Sequence, residues 1–313
     1  MTLATFVRIV AQGKGRARPL TQEEASQAMS LILSGEAAPE AVGALLMVLR
    51  LRGETDTEIA GFTQALRDTT KPVPKADLDW PCYSAGRTRG APLFLLSAKL
   101  VAQAGYNVCL HGWNSHQSGM ADVRAALSTL SLEGDGVTYH PLETLNSAAF
   151  NLLQLRDTFG LRSCINTVLR MWNPSGARAT VQGVFHPSYR GLQSRAAALL
   201  GDQNLTVIKG GGGEFERNPT KDISVFGLRD GVELDEKAPA LINATRRLHE
   251  PEMNVDLAAL WSGAARDEFA EATVIGTAAL AFWTLGTATT HQQALHLATE
   301  AWNQRNPISR RAG

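Results

Sequence analysis

A proline-rich stretch, residues 71–81 (KPVPKADLDWP), divides the chain into two parts of different periodicity. Its three prolines fix φ and remove backbone donors, so neither a helix nor a central strand is expected to run through it. Everything before it reads as helix. LATFVRIVAQG forms a first helix with Thr2 as cap and an end near Gly13. TQEEASQAMSLILSG carries Thr21 at an N-cap position and Glu24 three residues on, the signature of a capping box. PEAVGALLMVLRLRG places Pro39 in the first turn and Gly53 at the end. In DTEIAGFTQALRDTT, Asp56 is the expected cap, and Ile59, Phe62 and Leu66 recur at helical spacing.

Beyond residue 81, short β-like runs alternate with helical ones. NVCLHG (107–112) follows a helix, ATVQGVF (179–185) precedes one from Ser188 to Leu200, and LTVIKG (205–210) follows that. Alternation of this kind implies βαβ units and a mainly parallel sheet flanked by helices. The expected fold is therefore α/β: a small N-terminal helical domain (1–70) suited to dimerisation, a hinge (71–81), and a larger α/β domain (82–313). A helical segment near 155–173 is expected to pack on the small domain.

Several function classes are excluded. Lys+Arg and Asp+Glu both number 30, which argues against a histone-like protein but not against a local basic patch. Cys82, Cys109 and Cys164 are far apart and have no metal-ligand spacing, so they read as reduced and buried. No signal-peptide core and no run of about 18 apolar residues is present, so a soluble, cytoplasmic chain with no membrane association is expected. Patterns for a P-loop, a serine-hydrolase elbow or a histidine metal site are absent. GKGRAR (13–18), Arg246-Arg247 and Arg310-Arg311 read first as solvated charge. Trp80, Trp113, Trp172 and Trp261 are core candidates, with base stacking as the alternative.

The segment with most chemistry is VIKGGGGEFERNP (207–219). A glycine run after a strand can offer backbone amides to an anion, and Lys209 adds a point charge. Lys209 and Gly210, Gly211, Gly212 and Gly213 are thus candidate phosphate ligands. Glu214 and Glu216 are weak magnesium candidates, because they share a face only if Phe215 is extended. A flexible surface loop is the plain alternative.

SGEAAPEAVGALLMVLRLRGETDTEIAGFTQAL, LHGWNSHQSGMADVRAAL, LRDTFGLRSCINTVLRMWNP and VQGVFHPSYRGLQSRAAALL together resemble the anthranilate phosphoribosyltransferase-like family, which includes pyrimidine nucleoside phosphorylases. The resemblance spans about residues 3–303. It implies that His111 and Asn114 line a vestigial acceptor site and that Arg162 faces an aromatic acid's carboxylate. The family's GTGGD loop is replaced by Tyr83-Ser84-Ala85-Gly86-Arg87-Thr88-Arg89-Gly90, in which Arg87, Thr88 and Arg89 are expected to face phosphate. The adjacent Asp-Glu pair that holds magnesium in the enzymes is split here by Phe215. The K-G-G-G-G-E run looks most like the YbiB-type branch, which is associated with nucleic acid. The resulting expectation is a homodimer that has lost catalysis, needs no cofactor, and binds DNA or RNA through phosphates with low sequence specificity. The alternative is an active phosphoribosyltransferase, a glycosyltransferase using magnesium, phosphoribosyl diphosphate and an aromatic acceptor.

Overall fold

A computed structural model of the protein describes residues 1–13, 15–83, 90–113, 122–132, 134–246, 248 and 255–305. The N-terminal part is a bundle of α1 (Leu3–Ala11), α2 (Gln22–Leu33), α3 (Pro39–Arg52) and α4 (Asp56–Asp68). Thr21 accepts the Glu24 amide and Glu24 accepts the Thr21 amide, the expected capping box. A second box starts α4, but its cap is Thr55, not Asp56. The reason is reciprocity: Glu58 stands three residues after Thr55 and accepts its amide at 2.9 Å. Thr2 makes no side-chain cap to α1.

Glu58 does more than cap. It is fully buried, its Oε1 accepts the Leu20 amide at 2.9 Å, and it pairs with Arg52 at 2.5 Å. One carboxylate therefore closes the entry to α2, the end of α3 and the start of α4. Helices α2 and α4 cross so closely at Gly61 that a Cβ there would lie 2.1 Å from the Gln22 carbonyl oxygen.

The second part begins with β1 (Leu78–Cys82), α5 (Phe94–Gln103), β2 (Val108–Gly112), α6 (Val123–Thr129), β3 (Val137–Pro141) and α7 (Leu142–Leu145). It continues with α8 (Ser147–Phe159), α9 (Ile165–Arg170), β4 (Ala179–Val184), α10 (Tyr189–Leu199), β5 (Asn204–Lys209), β6 (Ile223–Arg229), β7 (Val232–Ala238), α11 (Leu257–Ser262), α12 (Glu268–Thr284) and α13 (His291–Gln304). The strand order is β3-β2-β1-β4-β5-β6-β7. The pairs among β1 to β5 are parallel, and β6 and β7 are antiparallel. The fold is α/β, with a helical bundle and a mainly parallel mixed sheet flanked by helices.

Two differences from the sequence reading have physical causes. Residues 78–81 are strand, not hinge. Pro81 is tolerated because β4 pairs with β1 only at Leu78 and Asp79, so no β4 partner needs the donor that Pro81 lacks. The β6–β7 hairpin is absent from the sequence reading, although Asp230 and Gly231, both at positive φ, carry the signature of a two-residue turn.

The sheet separates two apolar cores. Trp80, Leu110 and Ile208 face α5, α12 and α13. Val184, Leu205 and Val207 share the other core with the bundle, α8, α9 and α10. Polar ties fix that second interface. Arg67 of α4 holds Asp202 through both oxygens at 2.7 and 2.9 Å and donates to the Trp172 and Met171 carbonyls. Tyr189 donates to Glu54 at 3.0 Å and Arg195 to Asp56 at 2.8 Å. Among the described residues, no helix is long and apolar enough to cross a membrane.

Glu58→Ala should strand Arg52 and the Leu20 and Thr55 amides. The expected loss is about 3 kcal/mol of folding stability, read as a lower urea midpoint at unchanged slope. An unmoved midpoint would show that the bundle does not depend on this carboxylate.

Candidate active site

In an open α/β sheet, ligands settle outside the carboxyl ends of the strands where the strand order reverses. Here that point lies between β1 and β4. Their pairing stops at Asp79↔Thr180, so the strand ends part there, and this parting is the crevice position of the fold.

Beneath the parted ends runs a buried polar chain. Tyr83 Oη and His111 Nδ1 are 2.8 Å apart, and His111 Nε2 faces Asp79 at 3.3 to 3.4 Å. Thr180 donates to Asp79 at 3.2 Å. Burial pushes the Tyr83 hydroxyl well above the usual tyrosine range. His111, expected to line an acceptor site, is instead wholly buried with both ring nitrogens engaged, and Trp172 lies edge-on to it. Asn114, Arg87, Thr88 and Arg89 lie outside the described residues.

The glycine run is not an open cradle. Gly211 to Gly213 form a buried 3₁₀ turn in which Gly212 and Gly213 take positive φ. The Gly210 amide donates to the Val184 carbonyl, Gly211 to Glu216, and Gly213 to Gly210. These amides are consumed inside the protein, so they do not serve as anion ligands. Glycine is required at 210 for a different reason: a Cβ there would sit 1.6 Å from the Glu214 carbonyl oxygen. Lys209 is exposed at the end of β5, at the crevice side.

Glu214 and Glu216 are both buried. Glu216 Oε2 accepts the Phe94 amide at 3.0 Å, at the start of α5, where it already fills an anion position. Glu214 lies in the field of Arg170, whose charge it favours. Phe215 is anchored in the core against Trp80, ring centres 5.4 Å apart.

One open feature at the carboxyl end of β4 is a cavity of about 310 Å³. Arg162 lines it, as do Arg50 of α3, Arg156 of α8 and Arg170 of α9. Val184 and Phe185, at the end of β4 and just past it, form an apolar wall, with Gln193 and Tyr189 from α10. Among the described residues the lining holds no carboxylate, and Arg50, Arg156 and Arg162 have no ion-pair partner. Burial lowers the Arg162 guanidinium below its ordinary value, and the charges of Arg156, Arg170 and Arg50 add to this. Of these residues, only Arg162 is anticipated by the sequence. The other three arginines come from separate helices and show no shared spacing.

Comparison with known proteins fits this geometry. Residues 7–70 match the family described as "Glycosyl transferase family, helical bundle domain". An anthranilate phosphoribosyltransferase of Polynucleobacter necessarius subsp. necessarius is 32% identical over 233 residues, covering 69% of this chain and 68% of that protein. The chain belongs to the anthranilate phosphoribosyltransferase family. Among solved structures, the anthranilate phosphoribosyltransferase of Thermus thermophilus superposes with a TM-score of 0.78 at 23% identity, covering 96% of this chain and 94% of that one. That of Saccharomyces cerevisiae, in complex with PRPP and Mg, superposes with a TM-score of 0.73 at 15% identity, over 96% and 93% of the two chains.

These findings overturn the expectation of a catalytically lost DNA- or RNA-binding protein. The relatives are phosphoribosyltransferases, and none of these comparisons points to the YbiB-type branch or to nucleic acid as a partner. The structure agrees on two counts. The Gly210, Gly211 and Gly213 amides are spent internally, and Trp80, Trp172 and Trp261 are buried in the cores with no face for a base. Trp113 packs edge-on against Phe150.

Gly210→Ala should act on folding, not on anion affinity. A loss of about 2 kcal/mol or more is expected, read by thermal or urea unfolding. A variant as stable as the parent would return the loop to candidacy as an anion site.

Proposed function

We propose that the protein is a phosphoribosyltransferase that joins the ribosyl phosphate of phosphoribosyl diphosphate to an aromatic acid. The observation that carries this reading is the arginine-lined cavity at the strand-order reversal of a family member. Its apolar wall suits a ring and its cations suit a carboxylate. Arg162 is assigned to the acceptor's carboxylate, and the crevice between β1 and β4 to the sugar phosphate.

In the transfer, the bond from C1 of the ribose to the diphosphate oxygen breaks. A bond from the acceptor's nucleophilic atom to C1 forms, and that atom releases its proton. Positive charge grows on the sugar and negative charge on the leaving diphosphate. The chain's contribution is placement. Arg162 would orient the acceptor, and the Tyr83–His111–Asp79 chain would keep the floor rigid, so the reacting atoms meet in line.

Magnesium belongs to this reading, because the yeast neighbour is in complex with PRPP and Mg. The fit to this chain is poor at the expected place. Magnesium held by carboxylates keeps several waters, whereas Glu214 and Glu216 are buried and Glu216 is capped by an amide. Among the described residues no group of three His, Cys, Asp or Glu stands ready for a metal. No step is therefore routed through it.

The test is diphosphate release from phosphoribosyl diphosphate in the presence of a panel of aromatic acids, with and without magnesium. Turnover with at least one acid is expected. Arg162→Ala should lower kcat/KM by about tenfold to a hundredfold, the value of a charged hydrogen bond. Absence of turnover with every acid would reject the reading.

A further inference from the structure

Building on the reading that this cavity holds the acceptor, we infer that its occupant carries at least two negative charges: an aromatic acid with a second carboxylate or a phosphate group. Charge is the first ground. Four guanidinium groups from α3, α8, α9 and the loop between α8 and α9 line one cavity of about 310 Å³, and no carboxylate joins them among the described residues. Two acids act on the lining residues from outside it. Glu214 lies in the field of Arg170, and Glu54 accepts the Tyr189 hydroxyl. Even if each cancels one guanidinium, two positive charges remain. A single carboxylate satisfies one of them and leaves the other facing a like charge at short range.

Unmet hydrogen bonding is the second ground. Arg170 is 6% exposed, and its Nη1 donates to the Asn166 carbonyl at 2.9 Å. Its Nη2 is buried with no acceptor. A buried guanidinium nitrogen without an acceptor is costly in the empty protein. An anionic oxygen entering the cavity removes that cost. Arg162 and Arg170 both line the cavity, and the charge of Arg170 is felt at Arg162, so a second anionic oxygen offsets what a first leaves unmet. Both guanidinium groups are also less basic than usual, chiefly through burial. Mutual repulsion adds to this at Arg162, and an anion relieves it.

The shape of the lining says what joins the charges. Val184 and Phe185 add apolar surface to the same lining, and the Gln193 side-chain oxygen is buried without a partner. A flat ring fits the first feature. A ring amine or hydroxyl donating to Gln193 fits the second.

The experiment is calorimetric titration of the full chain, without phosphoribosyl diphosphate, using benzoate, benzene-1,2-dicarboxylate and phenyl phosphate. At low salt the two dianions should bind at least about tenfold more tightly than benzoate, and the gap should narrow as salt rises. The stronger of the two identifies the second group as carboxylate or phosphate. Arg50→Gln and Arg156→Gln, at the outer part of the cavity, should together reduce dianion affinity by about tenfold and benzoate affinity by no more than about twofold. They keep the test valid if Arg170→Gln fails to fold. Equal affinity for all three compounds, or a preference indifferent to the arginine variants, would overturn the inference. Turnover with monoanions alone would also overturn it while leaving the transferase reading intact. A dianion preference without any turnover would do the reverse.

Discussion

The arrangement of the whole molecule depends on Arg67. Its guanidinium leaves the last turn of α4, takes both oxygens of Asp202 and closes the Trp172 and Met171 carbonyls at the end of α9. A planar fork with five donors is suited to this, and lysine is not. The pair is partly buried, at 20% and 13% side-chain exposure, so solvent screens it only in part. Trp172 adds a bond from its indole nitrogen to Thr70 at 2.5 Å. Through these contacts the bundle is held against the end of α9 and the turn before β5, and the cavity is lined from both parts.

The frame is readable in the sequence where local signals are reciprocal. Thr21 with Glu24 announces α2, and alternating β and helical runs announce a parallel sheet. Thr55 escapes because Asp56 beside it is an equally good cap by composition, and only the bond accepted by Glu58 decides between them. Strand β1 reads as hinge when Pro81 is judged without its neighbour, and the early end of β4 pairing is a tertiary fact.

The candidate site is less legible, for physical reasons. A run of glycines means the same in sequence whether its amides face a ligand or its own carbonyls, and here Gly210, Gly211 and Gly213 use theirs internally. The absence of side chains allows a backbone crossing in this place, beneath Glu214. The arginines that line the cavity are the converse case. Arg50, Arg156 and Arg170 look like ordinary helix-end or surface charges, and only the packing of three helices makes them one electrostatic object. Zero net charge for the chain is compatible with this concentration, since a cavity responds to its walls and not to the total.

The walls of that cavity belong to different bodies. Arg50 rides on the bundle, Arg156 and Arg170 on α8 and α9, Arg162 on the loop between those helices, and Val184 and Phe185 at the end of β4. Docking brings Arg50 to the three other arginines, so like charges face one another across the interface. On the proposed reading, an anion that fills the cavity is a glue as well as a substrate, and by thermodynamic linkage it ties the bundle to the sheet as strongly as the docked arrangement favours the anion. Occupancy and domain cohesion in this molecule are two readings of one free energy.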